Sequence, residues 1–277
     1  MKAHHSAETA KYWHDQSLGD LELLRASYVT HHFAPHTHEG YAIGVIEAGA
    51  ETFTYRHQLH IAPAGSIVLI NPGELHTGEP LNGDGWRYRM LYPGTDVLQQ
   101  AASEIAGRAL GVPFFAQPVV RDASMARLLL ALHAAIEDGE SQLERESRLM
   151  WTMGQLVARH ADDRLRVQPM RNEQDAVLRV RDHFGDHFHE RVTLAQLAQV
   201  ANMSAFHLLR IFRQATGLPP HAYLTQMRVA HAKRLLREGL PIADVALKTG
   251  FTDQSHLNRH FKRIVGVTPG RYLGSMR

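Results

Sequence analysis

The feature that most constrains this chain is an internal repeat. Residues 207–224 align without a gap on residues 256–273, and eight of the eighteen positions are identical. His207, Leu208, Arg210, Phe212, Gly217, Pro220, Tyr223 and Leu224 recur as His256, Leu257, Arg259, Phe261, Gly266, Pro269, Tyr272 and Leu273. Unrelated helices do not coincide this often, so the segment is a tandem duplication of one supersecondary unit. Upstream of the shared stretch the offset falls from 49 to 48, so the second copy carries one extra turn residue.

Each copy reads as a short helix, a tight turn and a second helix. The first runs from Leu194 to Ala201, turns at Asn202-Met203, and continues from Ser204 to Thr216. Thr193 and Gln196 have the spacing of a capping box, in which hydroxyl and amide satisfy open backbone groups of the first turn. Ala198 is the small residue that lets two helices cross closely, and Leu208, Ile211 and Phe212 form the apolar stripe. Leu209, Arg210 and Arg213 are then expected to project outward. In the second copy Ile242–Leu247 is the first helix, Gly250-Phe251-Thr252 the turn, and 253–265 the second helix. Pro220 and Pro241 start helical runs, while Gly217, Gly239 and Gly266 end them. Such paired helices match the geometry of a helix-turn-helix, which sets its second helix in a DNA major groove.

Charge agrees with that use. The whole chain carries a formal +2, but residues 171–277 hold 16 Lys+Arg against 8 Asp+Glu, and residues 1–170 hold 14 against 20. An acidic half joined to a basic half suits a sensor attached to a polyanion-binding region. There is no cysteine, hence no disulfide and no thiolate metal site. The first six residues show no apolar run, and no stretch approaches a membrane span. A cytoplasmic protein with no membrane partner is expected.

The tandem arrangement resembles the DNA-binding domain of the AraC/XylS family of transcription regulators. The resemblance covers roughly residues 175–275. It is carried most fully by Ala243-Asp244-Val245-Ala246, Gly250-Phe251, Ser255–Arg263 and Gly266-Val267-Thr268-Pro269-Gly270-Arg271-Tyr272. It implies a long connecting helix over 220–238 that holds two recognition helices one DNA turn, about 34 Å, apart. By position in the motif, Phe206, Leu209 and Arg210 would face bases in one groove. Gln254, Ser255, His256, Asn258 and Arg259 would do so in the next. Arg and Gln suit guanine and adenine edges, and Phe206 and Leu209 could meet thymine methyls. Arg213, Lys262 and Arg263 suit phosphates. Because Leu209 departs from a polar reader, the first unit is expected to discriminate bases weakly.

The first half is different in kind. From Leu21 to Tyr92, short apolar runs such as 41–46, 51–55, 66–70 and 86–90 alternate with turns at Pro63-Ala64-Gly65, Asn71-Pro72-Gly73 and Asn82-Gly83-Asp84-Gly85. That spacing predicts a β-sandwich or barrel. Helical periodicity follows at 122–137, with Leu128, Leu132 and Ile136 on one face, and again at 143–160. Gly139 lies between the two. The expected organisation is α+β and multidomain. It comprises a cupin-like β-barrel over residues 1–110, a helical hairpin over 111–161, a linker over 162–172, and an all-α tandem helix-turn-helix domain over 173–277. The apolar stripe of the hairpin can pack on the barrel or make a homodimer with a second copy.

His36-Thr37-His38, Gly49, Gly65 and Pro72-Gly73-Glu74-Leu75-His76 resemble the two motifs of the cupin barrel, which also forms the sensor domain of many AraC-type regulators. Alternate strand residues point the same way, so His36 and His38 can share a direction with His76 brought across by closure. Three readings stay open for the trio: ligands of a divalent metal (Zn²⁺, Ni²⁺, Cu²⁺ or Fe²⁺), polar contacts to an organic effector, or structural hydrogen bonds. No cofactor is required for the expected function. A metal-binding cupin usually has Glu four residues after the second His, and Ala42 stands there. That departure argues against a metal-dependent enzyme. A small-molecule effector is expected inside the barrel, with Tyr41, Phe53, Tyr55, Trp86 and Tyr88 as candidate walls and Glu47 or Glu74 as partners for an amine. The expected partners are double-stranded DNA, the effector and a second copy, with RNA polymerase as a further contact. The alternative within the same class is a constitutive regulator whose barrel serves only to dimerise.

Overall fold

The computed structural model describes residues 8–162 and 174–274. The chain divides into two compact units: Met1–Ser141 with Arg148–Pro169, and Gln142–Ser147 with Met170–Arg277. The expected linker, apart from Asp162, lies almost wholly outside the described residues, as do the first six residues of the chain.

The first unit contains β1 (Thr9–Asp15), β2 (Leu21–Tyr28), β3 (Phe33–His36), β4 (Ala42–Tyr55), β5 (Gln58–Pro63), β6 (Ile67–Ile70), β7 (His76–Pro80) and β8 (Trp86–Tyr92). Helix α1 (Thr95–Ala106), the short β9 (Val119–Val120), α2 (Ala123–Glu137) and α3 (Gln142–His160), whose first six residues fall to the second unit, follow. All strand pairs are antiparallel. One layer runs β1-β2-β8-β4-β6-β9, and the other is built from β3, β7, β4 and β5. β4 belongs to both: its first half pairs with β6 and β8, its second with β5 and β7. The two runs expected at 41–46 and 51–55 are therefore one 14-residue strand folded across the barrel. β1 and α1 were not anticipated.

A register shift between Ile46 and Ala48 makes this fold-over work. A β-bulge adds one residue to one strand and so exchanges the two faces beyond it. Before the bulge Ala42 and Ile46 point into the barrel, while Ile43 and Val45 point out. Beyond it Phe53 and Tyr55 point in. Both faces of this layer are apolar because both are covered. The inner face closes on Leu24, Ile46, Phe53, Val68, Trp86 and Met90. The outer face packs Leu23, Ile43, Leu69 and Leu91 against Leu98 of α1, Leu132 of α2 and Met153 of α3. The hairpin thus spends its apolar stripe on its own sheet, which was one of the two alternatives. Leu132 and Ile136 are buried and Leu128 is half-buried at the edge. Asp122 caps α2, its carboxylate accepting from the Ser124 and Met125 amides. Those bonds hold its pKa well below the ordinary carboxylate value, aided by His160 and Arg159.

The second unit contains α4 (Gln174–His187), α5 (Leu194–Ala201), α6 (Ala205–Thr216), α7 (Pro220–Arg237), α8 (Ile242–Lys248), α9 (Gln254–Val265) and α10 (Pro269–Gly274). Among the described residues no helix is long and apolar enough to cross a membrane.

Candidate nucleic-acid interface and barrel cavity

The two recognition helices are built alike to the residue. Ser204 caps α6 by accepting from the His207 amide, and Asp253, 49 residues on, caps α9 by accepting from the His256 amide. Both helices end at a left-handed glycine, Gly217 at φ +76° and Gly266 at φ +91°. Leu208 and Phe212, and their counterparts Leu257 and Phe261, are fully buried. In the first unit Phe212 packs edge-on against Phe184 of α4 and Tyr223 of α7. In the second Phe261 meets Tyr272 of α10. The capping box at Thr193 and Gln196 is present. Arg179 of α4 donates to the open Val200 and Ala201 carbonyls at the end of α5.

The turns differ where the extra residue predicts. Asn202 and Gly250 occupy equivalent positions at the 48-residue offset, with φ of +54° and +78°. At Gly250 a Cβ would lie 2.9 Å from the Arg228 guanidinium carbon and from the His189 carbonyl oxygen. Only glycine fits. Arg228 of α7 is buried there and donates to the Phe188 and Glu190 carbonyls, both at 2.7 Å. Burial lowers its pKa to about 10, which still leaves it charged at neutral pH.

On α9, Gln254, Ser255, Arg259, Lys262 and Arg263 are exposed and Asn258 is half-buried. His256 is 8% exposed, and its Nδ1 lies 3.1 Å from the Thr252 hydroxyl, with its ring edge-on to Phe251. It stands inside the turn and is removed from the set of outward residues. On α6, Arg213 is exposed and Arg210 half-buried. Phe206 and Leu209 are each 3% exposed, so the expectation that Leu209 projects outward, and that both meet bases, is corrected. The two stand one helical turn apart beside the Leu208–Phe212 stripe. An apolar side chain at that flank gains about 25 cal/mol per Å² by leaving water.

In the barrel, the trio is brought together. His36 of β3 is the direct cross-strand partner of His76 of β7. One ring nitrogen from each of His36, His38 and His76 lies within 4.8 Å of the other two. His36 Nδ1 sits 2.8 Å from the Ala34 carbonyl and His76 Nδ1 3.1 Å from the Glu74 carbonyl. A carbonyl only accepts, so each Nδ1 carries the proton and each Nε2 keeps its lone pair. This tautomer is the one a metal or a hydrogen-bond donor needs. Burial lowers the pKa of His76 to about 4 and that of His38 below its usual value, with the neighbouring imidazoles adding to the effect.

The trio lines a small interior cavity of about 40 Å³, together with Tyr88, Tyr92 and Glu51. Tyr92 also packs against the His38 ring at 4.9 Å. Three expected wall residues, Tyr41, Tyr55 and Trp86, and both expected amine partners, Glu47 and Glu74, are elsewhere. Tyr41 lies on the outer face of the sheet, packed on Phe115 with its hydroxyl donating to the Pro113 carbonyl. Glu47 falls at the bulge and pairs with Arg87 and Arg89 at 3.5 and 3.3 Å. Trp86 faces inward but packs in the core beside the cavity, with no hydrogen-bond partner for its Nε1. Tyr55 is likewise tied up, its hydroxyl accepting from Asn71 at 2.9 Å. Glu74 is held by Arg56 through two bonds of 2.8 and 2.9 Å. Ala42 does line the cavity. A methyl group thus stands where a carboxylate would complete the cupin ligand set.

Sequence reasoning missed Glu51, which is 7% exposed and whose pKa burial raises to about 8. Its signal was available: Glu51, Phe53 and Tyr55 share one strand face. The bulge at 46–48 hid which face that was. Phe33, Met90 and Tyr92 were also missed as lining residues.

These two parts define a protein with a helix-turn-helix DNA-binding domain and a ligand-binding type of barrel. The model of the AraC-like ligand binding domain matches residues 18–153, and that of a helix-turn-helix domain matches residues 197–275. The HTH-type transcriptional regulator YbfI of Bacillus subtilis is 32% identical over 237 residues, 86% of each chain. The arabinose operon regulatory protein of Salmonella typhimurium is 25% identical over 84% of this chain and 83% of its own. Among solved structures, the DNA-binding domain of AdpA in complex with a target DNA is 33% identical, covering 37% of this chain and 93% of that one at a TM-score of 0.36. The chain belongs to the AraC/XylS family of transcription regulators.

Proposed function

We propose that this DNA-binding regulator reads double-stranded DNA through α6 and α9 in successive major grooves, under the control of a small molecule held in the barrel cavity. The observation that carries the reading is the exact recurrence of α6 in α9: same length, same cap position, same terminal glycine, same buried Leu and Phe. Two equal helices linked by the 18-residue α7 suit two half-sites one DNA turn apart. Gln254, Ser255, Asn258 and Arg259 are proposed to read base edges, and the half-buried Arg210 of α6 to contact phosphate, not bases. Arg213, Lys262 and Arg263 neutralise phosphates.

In the cavity, His36, His38 and His76 present lone pairs to an effector, and the same three nitrogens fit a divalent metal. When bound, such a metal would supply a Lewis-acidic contact for a ligand oxygen or nitrogen. Effector binding shifts DNA affinity by as much as DNA binding shifts effector affinity, since the coupling is reciprocal. A homodimer through α2 and α3 would use their outward faces, because their apolar stripe already lies on the sheet. Contact with RNA polymerase and residence in the cytoplasm complete the proposal.

Fluorescence anisotropy of the full chain on labelled fragments of candidate promoters, with excess random duplex as competitor, tests the DNA reading. The expected result is a fragment that survives competition in moderate salt, with affinity falling steeply as salt rises. Binding no tighter than to random sequence at every fragment would overturn it.

A further inference from the structure

We propose that Glu51 is the anchor for the positively charged head of a compact primary amine, so that the effector is an amine whose short body lies between Glu51 and the histidine trio. This rests on the reading of the barrel cavity as the effector site.

The first observation is a contrast among carboxylates. Glu47 and Glu74, the acids that the sequence suggests for an amine, already have arginines. Glu51 lines the cavity without one: among the described residues no hydrogen bond or ion pair reaches its carboxylate, and no Lys or Arg lines the cavity. A buried carboxylate is costly unless a cation or hydrogen-bond donors complete it. Nothing from the chain does so, and burial accordingly raises its pKa to about 8, so the group stands largely protonated at neutral pH until a cation reaches it. A ligand that brings an ammonium group supplies both the charge and the donors.

A second observation comes from Gly78 of β7. A Cβ there would lie 2.7 Å from Glu51 Oε1, so the missing side chain opens the seat in which the carboxylate sits. A third is the character of the walls. Phe33, Phe53, Tyr88 and Tyr92 line the cavity, and aromatic faces attract cations and not anions. The cavity is small, about 40 Å³, against the roughly 10–15 Å³ that seats one water on a comparable measure, so a compact ligand fits best. Glu51 shares the cavity with the trio without being part of its cluster. Glu51 and His76 are buried, and His36 and His38 are half-buried. The cavity thus offers a carboxylate and three imidazoles among apolar walls, which suits a short molecule with its ammonium at Glu51.

The test is thermal melting of the full chain with methylamine, ethylamine and n-propylamine hydrochlorides. Potassium chloride at equal ionic strength, ethanol and sodium acetate are the controls. The proposal expects the amines to raise the Tm saturably and the controls to leave it unchanged. Glu51→Gln should weaken the amine response roughly tenfold to a hundredfold in Kd, the loss of a charge-assisted bond. Gly78→Ala, which keeps the carboxylate but fills its seat, is the second variant and should weaken the response too, so the proposal does not hang on the folding of one mutant. An amine response that survives both substitutions overturns the anchor. A response to acetate or ethanol but not to amines overturns the ligand class and leaves the barrel as the effector site. Silence from every amine and control, and from zinc added alone, overturns the proposal and the effector-site reading together.

Discussion

Helices α6 and α9 share their caps, their terminal glycines and their buried leucine and phenylalanine, yet they offer DNA different surfaces. α9 exposes Gln254 and Ser255 in its first turn and Arg259 in the next. α6 has no fully exposed residue before Arg213 in its last turn: Ala205, His207 and Arg210 are half-buried, and Phe206, Leu208, Leu209, Ile211 and Phe212 are buried. Helix-turn-helix proteins read bases mainly with the N-terminal part of the recognition helix. A duplicated scaffold can therefore keep its packing residues in both copies while only one keeps a polar reading face. On the proposed reading, α9 is the base reader and α6 works mainly as a phosphate-binding positioner.

The largest effect should come from the turns. Gly250→Ala forces a side chain to φ +78° and into the Arg228 guanidinium. It should cost about 2 kcal/mol or more, with left-handed strain alone worth about 1–2. Asn202→Ala at φ +54° has strain without the collision and should cost about 1 kcal/mol. Urea unfolding of the full chain checks both, and equal losses would break the distinction between the turns. Next, Arg259→Ala should weaken operator binding by about 1–3 kcal/mol and relax one base position. Arg210→Ala should cost less and leave sequence preference unchanged, as measured by anisotropy on single-base operator variants. Thr193→Ala removes the capping box of α5 and should cost about 1 kcal/mol of stability. The equivalent Pro241 makes no side-chain cap, so its replacement by Ala should leave that end nearly unchanged. The smallest effect belongs to Lys262→Ala. Affinity should fall uniformly across sequences, and the log–log salt slope should shrink by about 0.9.

The helical half was legible because its signals are local. Caps, terminal glycines and stripes fall within a few residues of one another, and duplication states each of them twice. Even there the facing of Phe206, Leu209 and His256 was misread, since an apolar or half-polar residue at the edge of a stripe can turn either way. In the barrel, alternation gives the parity of a strand but not which face is inner when both are apolar, as for Tyr41–Ile46. The single extra residue at 46–48 then exchanges the faces. Tyr41 and Glu47 were consequently placed on the cavity, and Glu51 was overlooked. The histidine trio was legible because two motifs fixed its members, and cross-strand pairing of His36 with His76 does the rest. β1 and α1 left no comparable mark. β1 is exposed over most of its length, so its seven residues lack the half-buried alternation that announces a strand.

The central claim, that α9 carries the base specificity, is tested most directly by selecting bound duplexes from a random pool with three full-length proteins: wild type, Gln254→Ala/Arg259→Ala, and Arg210→Ala/Arg213→Ala. The account predicts that wild type selects one strongly specified segment with a weaker one about one turn away. The α9 variant should lose the strong segment, while the α6 variant should keep both at lower affinity. A strong segment that survives in the α9 variant and vanishes in the α6 variant would contradict it.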